Sequence, residues 1–355
     1  MKLLFLTQTS ALGPSSRYRV YQLLPLLEKL GIHCEVSPAI DEQLYRQLYL
    51  FTKERSSRRA AFLAAWRKRR DDLRRIDSFD AVFVQKGVFP GLYSGFESRI
   101  AGRKPLVFDF DDAIWLPREG GNPLLRALHR ERTVQDILHC ATAVIAGNEF
   151  LAEYARRFNR NVTVIPSAID LDRYPSQLKL ASMNARGQPV IGWIGSSTTL
   201  PYLKALRQVF EKLQFVPRVI ASGDPTVLGF PVDFRPWRPE NESAELAQFD
   251  IGIAPLPDTP WEQGKCGVKV LQYMACGIPV VASAVGVHKQ IIQHGENGFL
   301  VRTEAEWIER LQVLLADAAL RARLGASSRR RVGEKFAVTS AAAQIAAVLR
   351  RLGSD

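Results

Sequence analysis

The 355-residue chain has few of the residues that form disulfides or bind structural metal ions, with only four cysteines and five histidines. Cys34, Cys140, Cys266 and Cys276 form no C-x-x-C pair, and no histidine-rich motif accompanies them. This scarcity excludes a disulfide framework and a zinc ribbon, and it fits a reducing cytoplasm. The length and the 46% share of hydrophobic residues are instead typical of about two globular domains.

Long apolar runs are also missing. The run Leu3–Leu6 falls short of the ~7 to 15 residues at the centre of a signal peptide, and no stretch approaches the ~20 that span a bilayer. We therefore expect any membrane contact to be peripheral.

Acidic side chains are fewer than basic ones. The chain has 36 Asp and Glu against 48 Lys and Arg, which gives a net charge of +12. That excess points to an anionic partner, which can be a phosphorylated substrate, an acidic lipid surface or nucleic acid.

Short apolar runs alternate with segments of helical period, which is the pattern of β-α units around parallel sheets. The sequence predicts an α/β fold of two doubly wound halves. The predicted strands are 2–7, 81–85, 105–109, 143–146 and 162–166, then 190–194, 218–222, 250–255 and 279–283. Chain breakers without a sustained period predict a linker at 173–189. The predicted domains are thus 1–172 and 190–335, followed by a helix at 336–355 that can cross back to the first domain.

Residues 53–76 interrupt this rhythm with ten basic side chains. The segment also carries Phe62, Leu63, Trp66, Leu73 and Ile76 at helical spacing, which indicates a basic amphipathic helix. One interpretation is a helix whose apolar stripe packs on its own domain. Another is a helix on an anionic membrane surface, with Trp66 as the interfacial anchor. Nucleic-acid binding is the weakest alternative, since no helix-turn-helix, zinc finger or aromatic RNA-binding motif is present.

The densest group of glycines and lysines follows the predicted strand 250–255. Residues 261–269 read Trp-Glu-Gln-Gly-Lys-Cys-Gly-Val-Lys and lead into a short helix that Gly277 closes. The N-H groups and the dipole at a helix N-terminus stabilise a phosphate, and Lys265 and Lys269 would add positive charge to the first turn. The motif predicts a diphosphate site, and the alternative is a tight helix entry with solvated lysines.

Residues 272–283 read Gln-Tyr-Met-Ala-Cys-Gly-Ile-Pro-Val-Val-Ala-Ser and resemble glycosyltransferase family 4, in a branch with a Gly-Lys-Cys-Gly-x-Lys-x-Leu-Gln-Tyr-Met motif. Segments 146–151, 164–170, 191–198 and 286–301 resemble the family in the same order. The resemblance implies a GT-B fold, with two Rossmann-like domains facing across a cleft. It also implies a retaining transferase that binds an acceptor in the first domain and a nucleotide diphosphate sugar in the second, without metal or cofactor.

The chain lacks two glutamates that the family usually has. The first maps to Gly264, with Glu262 two residues away, and the second maps to Gln272. In the family these carboxylates contact the donor sugar and the ribose. An Arg and a Lys that hold the diphosphate are also replaced, by the run Ser196–Thr199, so Lys265 and Lys269 are expected to take over that charge.

The resemblance, with the motifs, gives two sets of expected site residues besides the catalytic pair Lys265 and Lys269. The donor set is Gly195, Ser196, Ser197, Gly223, Asp224, Arg235, Trp237, Glu262, Gly264, Cys266, Gly267, Val268 and Gln272. The acceptor set is Gly13, Ser15, Ser16, Arg17, Arg19, Asp109, Asp111 and Asp112. Ser15 or Ser16 is the expected helix N-cap. The three aspartates favour acceptor-hydroxyl binding or arginine pairing over a metal, and no metal site is predicted.

The sequence thus predicts a cytoplasmic hexosyltransferase that can lie peripherally on the inner face of the cell membrane. Its partners would be a nucleotide diphosphate sugar, a glycan or lipid-linked acceptor of the cell envelope, and an anionic membrane surface, but no nucleic acid. A noncatalytic sugar-nucleotide or lipid-binding pseudoenzyme and a GT-B epimerase remain as alternatives. An oxidoreductase is disfavoured because Gly192 and Gly195 lack the G-x-G-x-x-G spacing.

Overall fold

The computed structural model describes residues 1–50, 58–89, 95–116, 131–174 and 187–352. The chain divides into two compact units. Unit 1 comprises Met1–Ala168, Gln263–Cys266 and Val338–Asp355, and unit 2 comprises Ile169–Glu262 and Gly267–Ala337. Each unit holds one six-stranded parallel sheet with helices, so the predicted fold class is confirmed.

Unit 1 is built on a sheet with strand order β2-β1-β3-β4-β5-β6. Its strands are β1 Lys2–Thr9, β2 His33–Ile40, β3 Ala81–Gln85, β4 Leu106–Phe110, β5 Ala143–Ala146 and β6 Val162–Val164. Its helices are α1 Pro14–Arg19, α2 Leu24–Lys29, α3 Glu42–Tyr45, α4 Arg58–Arg75, α5 Gly95–Ala101, α6 Glu131–Cys140, α7 Glu149–Arg156 and, from the chain's end, α15 Val338–Arg351. Apolar cores lie on both faces of the sheet, which explains the near-continuous apolar runs of β1, β3 and β4.

Unit 2 has the strand order β12-β11-β10-β7-β8-β9. Its strands are β7 Ile191–Gly195, β8 Arg218–Ala221, β9 Asp233–Pro236, β10 Ile251–Ala254, β11 Val280–Ser283 and β12 Gly298–Val301. Its helices are α8 Arg207–Leu213, α9 Glu242–Leu246, α10 Pro260–Gln263, whose last residue counts with unit 1, α11 Val268–Ala275, α12 His288–Ile291, α13 Glu304–Ala316 and α14 Ala318–Lys335. This order reverses between β7 and β10, where ligands bind in doubly wound sheets.

The unit boundaries differ from the predicted domain limits. Residues 169–172 belong to unit 2, where the Ile169 N-H donates to the Phe336 carbonyl at 2.8 Å, and residues 336 and 337 belong to unit 2 as well. The segment Gln263–Cys266 belongs to unit 1, which the sequence did not predict. Most of the predicted linker, 175–186, lies outside the described residues.

Helix α4 covers Arg58–Arg75 of the basic segment and Ile76 follows it, while residues 53–57 lie outside the described residues. The prediction of one apolar stripe is wrong, since Phe62, Leu63 and Trp66 are exposed whereas Ile76 is buried. The buried side of α4 carries small or charged side chains, namely Ala61, Ala65, Arg69 and Asp72. Among the described residues, neither α4 nor any other helix is both long and apolar enough to cross a bilayer.

Candidate active site

Lys86 joins several of the expected acceptor residues at the carboxyl end of the unit 1 sheet. Its ammonium lies 2.9 Å from Asp111 Oδ1 and donates to Ser15 Oγ at 2.7 Å and to Asp112. Asp112 also accepts from Lys265 Nζ at 2.8 Å, so the two lysines share one carboxylate. Lys86 adopts φ 62°, a left-handed conformation that is uncommon outside glycine. The sequence offered one sign of this residue, the Lys-Gly pair directly after a buried strand.

The charges in this network stabilise one another. Burial alone would raise the pKa of Asp112, but the ammonium groups of Lys86 and Lys265 outweigh burial and hold that pKa well below its ordinary value. Burial would likewise lower the pKa of Lys86, and Asp111 and Asp112 raise it instead. Lys86 and Asp112 are therefore both charged near neutral pH.

Arg19 and Asp109 form a separate buried ion pair. The Arg19 Nε donates to Asp109 Oδ2 at 3.1 Å, and its Nη1 donates to the Ile165 carbonyl at 2.6 Å. With exposures of 3% and 0%, these two side chains fasten α1 to β4 and to the end of β6. Helix α1 is capped by Gly13 with Pro14 at its first position, so the expected serine N-cap is wrong.

The two expected serines of α1 and its first arginine have other surroundings. Ser16 is buried and donates to Gln85 Oε1 at 3.0 Å, while Ser15 is half-buried against Lys86. Arg17 is also buried, with its guanidinium 5.0 Å from the ring centroid of Tyr18. Of the expected acceptor set, Ser15, Asp111 and Asp112 thus come together around Lys86.

The segment Gln263–Cys266 is held in unit 1 by Asn148. The Asn148 Nδ2 donates to the Lys265 carbonyl at 3.0 Å, while its Oδ1 accepts from Leu151 N and caps α7. A Cβ at Gly264 would lie 2.7 Å from the backbone nitrogen of Ala113, so no side chain fits there. This close approach gives a physical reason why a glycine, and no glutamate, occupies position 264.

Glu97 is a buried carboxyl group near the same sheet edge, with 1% of its surface exposed. Its Oε1 accepts from the Val88 N-H at 2.7 Å. Burial raises the pKa of Glu97 from 4.5 to about 7, and the Val88 hydrogen bond and the Arg69 charge only partly oppose the shift. Ionisation of this group therefore opposes folding near neutral pH.

We expect Glu97→Gln to gain stability relative to the wild type as pH rises. The wild-type fold binds the Glu97 proton more tightly than the unfolded chain, so this stabilisation is complete below pH 4.5 and is lost as pH rises through about 7. At about 1.4 kcal/mol per pKa unit, the difference approaches ~3 kcal/mol by pH 8. Urea unfolding at pH 5 and pH 8 measures it, with the exposed Glu153→Gln as control. An identical pH dependence in the wild type and Glu97→Gln would contradict the expectation.

In unit 2, helix α11 begins at the turn that the sequence singled out. Gly267 is its N-cap with φ 68°, and a Cβ there would lie 2.5 Å from Ile291 Cδ1. Lys269 stands in the first turn, with its Nζ 3.8 Å from the ring centroid of the buried Trp193. Lys265 precedes the helix and pairs with Asp112, so the expectation of two lysines on one first turn is corrected.

His288 packs beside this turn. Its Nδ1 lies 3.0 Å from the Ser283 carbonyl. Burial lowers the pKa of His288 to about 4, with Lys269 contributing, so the ring is neutral at physiological pH. His288 thus adds no positive charge to this turn near neutral pH.

Glu262 is buried in unit 2 and accepts from the Tyr202 hydroxyl at 2.5 Å and from Thr259. Tyr202 also borders a cavity of about 610 Å³ at the carboxyl ends of β10, β11 and β12. Asp258 and Trp307 line the same cavity, which no residue of the expected donor set does. Glu262 is therefore fixed next to a cavity that the sequence did not reveal.

Trp237 and Gln272 come together through Glu242, a residue that the sequence did not single out. The Trp237 Nε1 donates to Glu242 Oε2 at 2.8 Å, and the Gln272 Nε2 donates to Glu242 Oε1 at 3.1 Å. The backbone nitrogen of Trp237 donates to the Ala221 carbonyl at 2.9 Å. Trp237 and Glu242 follow β9 and Gln272 lies in α11 after β10, so the trio gathers at the carboxyl edge of the sheet.

The other expected donor residues lie in or near the loops of unit 2. Gly195 ends β7, and a Cβ at Gly223 would lie 2.8 Å from Ser197 Cα, so the loops after β7 and β8 approach closely. Asp224 is exposed and caps the turn Pro225–Leu228. Of the remaining three, Ser196 and Val268 are half-buried and Arg235 is exposed.

Cys266 belongs to unit 1, where it is buried, and burial raises its thiol pKa well above the ordinary value. A Cβ at Gly147 would lie 2.3 Å from Cys266 Sγ, so sulfur and glycine pack without space between them. Within the described residues, no group of three or more His, Cys, Asp or Glu side chains is arranged to hold a metal ion.

Two doubly wound parallel sheets with polar residues at their carboxyl edges define a two-domain α/β protein of the GT-B class. Residues 188–317 match the family model described as "Glycosyl transferases group 1", which confirms the resemblance found in the sequence. The matched stretch contains every strand of unit 2 and helix α11.

Comparisons with individual proteins agree with the family match. The D-inositol 3-phosphate glycosyltransferase of Stackebrandtia nassauensis is 27% identical over 238 residues, covering 58% of this chain and 52% of that protein. The chain thus spans about half the length of this curated relative. Anabaena HepE in complex with UDP-glucose superposes with a TM-score of 0.66 at 18% identity, over 99% and 100% of the two chains. WaaG, a glycosyltransferase involved in lipopolysaccharide biosynthesis, gives 0.67 at 14% identity over 98% and 99%.

Proposed function

We propose that this chain transfers a sugar from a nucleotide diphosphate sugar to an acceptor hydroxyl, with retention at the anomeric carbon. The observation that carries the proposal is the family match over residues 188–317, which include the Gly267 turn and Lys269. In the reaction, the bond from the sugar C1 to the diphosphate breaks and the acceptor oxygen bonds to C1. The acceptor proton passes to the departing phosphate, and we assign no enzymic base.

Charge develops on the leaving diphosphate as that bond breaks. The N-terminus of α11 and Lys269 would stabilise this charge more strongly in the transition state than in the substrate. Lys265 shares its charge with Asp112, so we propose that it acts mainly by fixing the segment before Gly267. No step in this scheme needs a divalent ion, and we expect activity to survive chelation with EDTA.

The proposal is tested by binding and then by turnover. Thermal shift with nucleoside diphosphates and their sugars identifies the donor, because a ligand at ~100 times its dissociation constant adds ~2.7 kcal/mol. Release of nucleoside diphosphate in the presence of envelope glycan or lipid-linked acceptors then measures transfer. Binding without release under any acceptor would favour the noncatalytic sugar-nucleotide binder, which the two missing family glutamates make a specific second candidate. No stabilisation by any nucleotide would overturn the proposal.

We further propose that the acceptor is lipid-linked and that α4 holds the protein on an anionic membrane surface. Phe62, Leu63 and Trp66 are exposed by 54%, 53% and 39%, and all lie within one and a half turns of the helix. The Arg70 guanidinium lies 4.8 Å from the ring centroid of Trp66, and Arg67 is exposed beside it. Exposed apolar side chains framed by arginines match an interface of acyl chains and anionic headgroups.

We expect the wild-type protein to sediment with vesicles of phosphatidylglycerol and phosphatidylcholine, less so as salt rises. Phe62→Ser/Leu63→Ser/Trp66→Ser and, separately, Arg67→Glu/Arg70→Glu should each abolish most of this binding without changing nucleotide affinity. Val313→Ser, at an exposed apolar position of α13, is the matched control. If the wild-type protein ignores such vesicles at low salt, the acceptor is a soluble glycan or small molecule instead.

A further inference from the structure

The turn directly after β3 holds Lys86 in a conformation that lysine rarely adopts. Its φ is 62°, and the following Gly87 has φ 116°. A non-glycine residue in this left-handed region is strained, and such strain persists only where the surrounding structure over-determines it. A glycine at position 86 would relieve the strain. The presence of a lysine there therefore indicates a requirement for its side chain.

Buried groups hold this turn on both sides of its glycine. The Lys86 N-H donates to the Asp109 carbonyl at 2.7 Å, which continues the pairing of β3 with β4. The Val88 N-H donates to Glu97 Oε1 at 2.7 Å, and the Arg69 Nε donates to the Val88 carbonyl at 2.6 Å. Asp109, Glu97 and Arg69 are all buried. The turn is therefore fixed to the core of unit 1, and with it the start of the Lys86 side chain.

The Lys86 ammonium lies at the topological switch point of unit 1. In the strand order β2-β1-β3-β4 the direction reverses between β1 and β3, and doubly wound sheets bind ligands at the carboxyl end of such a pair. Lys86 follows β3, and Ser15, which accepts from its Nζ at 2.7 Å, follows β1. Asp111 and Asp112 follow β4 and pair with the same ammonium. Lys86 thus joins the segments after three strands where a ligand is expected.

The chemistry of this group favours hydroxyl groups over phosphates. It contains two acidic side chains, Asp111 and Asp112, and two basic ones, Lys86 and Lys265. The group therefore has no surplus of positive charge to attract an anion. Asp112 is the more accessible carboxylate, with 19% of its side chain exposed against 7% for Asp111. Its two oxygens each accept from one lysine, and a carboxylate can accept about four hydrogen bonds, so it can also bind a sugar hydroxyl.

We propose that Lys86 is a positioning residue of the acceptor site, which holds the Asp112 carboxylate so that it accepts a hydrogen bond from a hydroxyl group of the acceptor sugar. This inference rests on the proposed function and adds the residue that orients its acceptor. Asp112 makes the contact, and Lys265 holds its other oxygen. Because the turn fixes the backbone of Lys86, the ammonium determines where the carboxylate lies. Loss of the ammonium should therefore disturb acceptor binding and leave donor binding unchanged.

The test compares acceptor and donor parameters in the full chain. Release of nucleoside diphosphate is measured with three probe acceptors, octyl β-D-glucopyranoside, octyl β-D-galactopyranoside and polyprenyl diphosphate N-acetylglucosamine. Lys86→Gly removes the ammonium and suits the φ of 62°, so the turn should survive. It should lower kcat/KM for the acceptor about 10- to 100-fold, because the contact is misplaced, and keep nucleotide affinity within about threefold. Lys86→Arg should recover part of the loss, and the exposed Lys29→Met should behave as the wild type.

A double-mutant cycle separates positioning from charge balance. If Lys86 acts through Asp112, Lys86→Gly should add less than about threefold to the loss of acceptor kcat/KM in Asp112→Asn, because both changes remove one contact. Should Lys86→Gly unfold, Lys86→Arg and Asp112→Asn form the same cycle, since a guanidinium displaces the carboxylate without removing its counter-charge.

The outcomes keep the two proposals apart. If the wild type binds nucleotides but releases none with any of the three probes, the proposed transfer fails, and the role of Lys86 fails with it. If transfer occurs and the losses in the cycle are additive, the function stands and Lys86 only balances charge. The same conclusion follows if the Lys86 variants keep the wild-type kcat/KM for the acceptor, or if they weaken donor and acceptor equally.

Discussion

Arg69→Ala should destabilise unit 1 by about 3 to 5 kcal/mol, the largest stability loss expected from one side chain of α4. Arg69 is fully buried and donates to three main-chain carbonyls, those of Thr7 at 2.5 Å, Ser37 at 2.9 Å and Val88 at 2.6 Å. It also pairs with Asp72 at 2.9 Å. Truncation leaves these acceptors buried without their donor.

Urea unfolding measures the loss, with the exposed Arg67→Ala on the same helix as control and expected within about 0.5 kcal/mol of the wild type. Arg69→Lys keeps the charge but cannot form the same fork, so it should fall between them. Equal midpoints for Arg69→Ala and Arg67→Ala would contradict the assignment. The same geometry explains why the membrane test changes only Arg67 and Arg70. Reversing all four charges of 67–70 would also reverse the buried Arg69 and damage the fold.

Lys269→Met should reduce the rate of sugar transfer by about 10²-fold or more while leaving the fold intact. The substitution keeps an unbranched side chain over the Trp193 ring and removes the charge from the first turn of α11. Lys265→Met should cost less than Lys269→Met in rate, because the Lys265 ammonium is paired with Asp112.

Single-turnover kinetics and thermal melting separate the two effects, with the exposed Lys289→Met as control. Lys269→Arg should recover part of the rate, since it restores the charge with a different shape. A decrease of less than threefold in Lys269→Met, at unchanged stability, would remove this residue from the proposed mechanism.

The central strands could be predicted from the sequence and three outer strands could not. β2, β9 and β12 escaped prediction, and each lies at an edge of its sheet. A central strand of a parallel sheet is buried on both faces and appears as an apolar run, as in β3. An edge strand is partly exposed and carries polar residues. β9 reads Asp-Phe-Arg-Pro with its last two residues exposed.

Much of the candidate site depends on pairs that are distant in sequence. Lys86 meets Ser15 across 71 positions, and Glu242 meets Gln272 across 30. A motif reveals spacing within one loop, so it located Gly267 and Lys269 but could not show that Lys265 pairs with Asp112. Likewise, hydrophobic periodicity identified α4 as a helix but could not show that its buried side carries Arg69.

The alternation of the chain between the two units limits how the protein can be dissected. A fragment starting at Ile169 and ending at Ala337 would contain unit 2, but it would carry Gln263–Cys266 without the Asn148 side chain that binds their carbonyls. A fragment ending at Ala168 would lack that segment and α15, whose Ile345 and Leu349 are buried in the unit 1 core. Neither half is encoded by one continuous stretch, so truncated versions should expose apolar surface and aggregate. Single substitutions in the full chain are the sounder way to separate the proposed donor and acceptor functions.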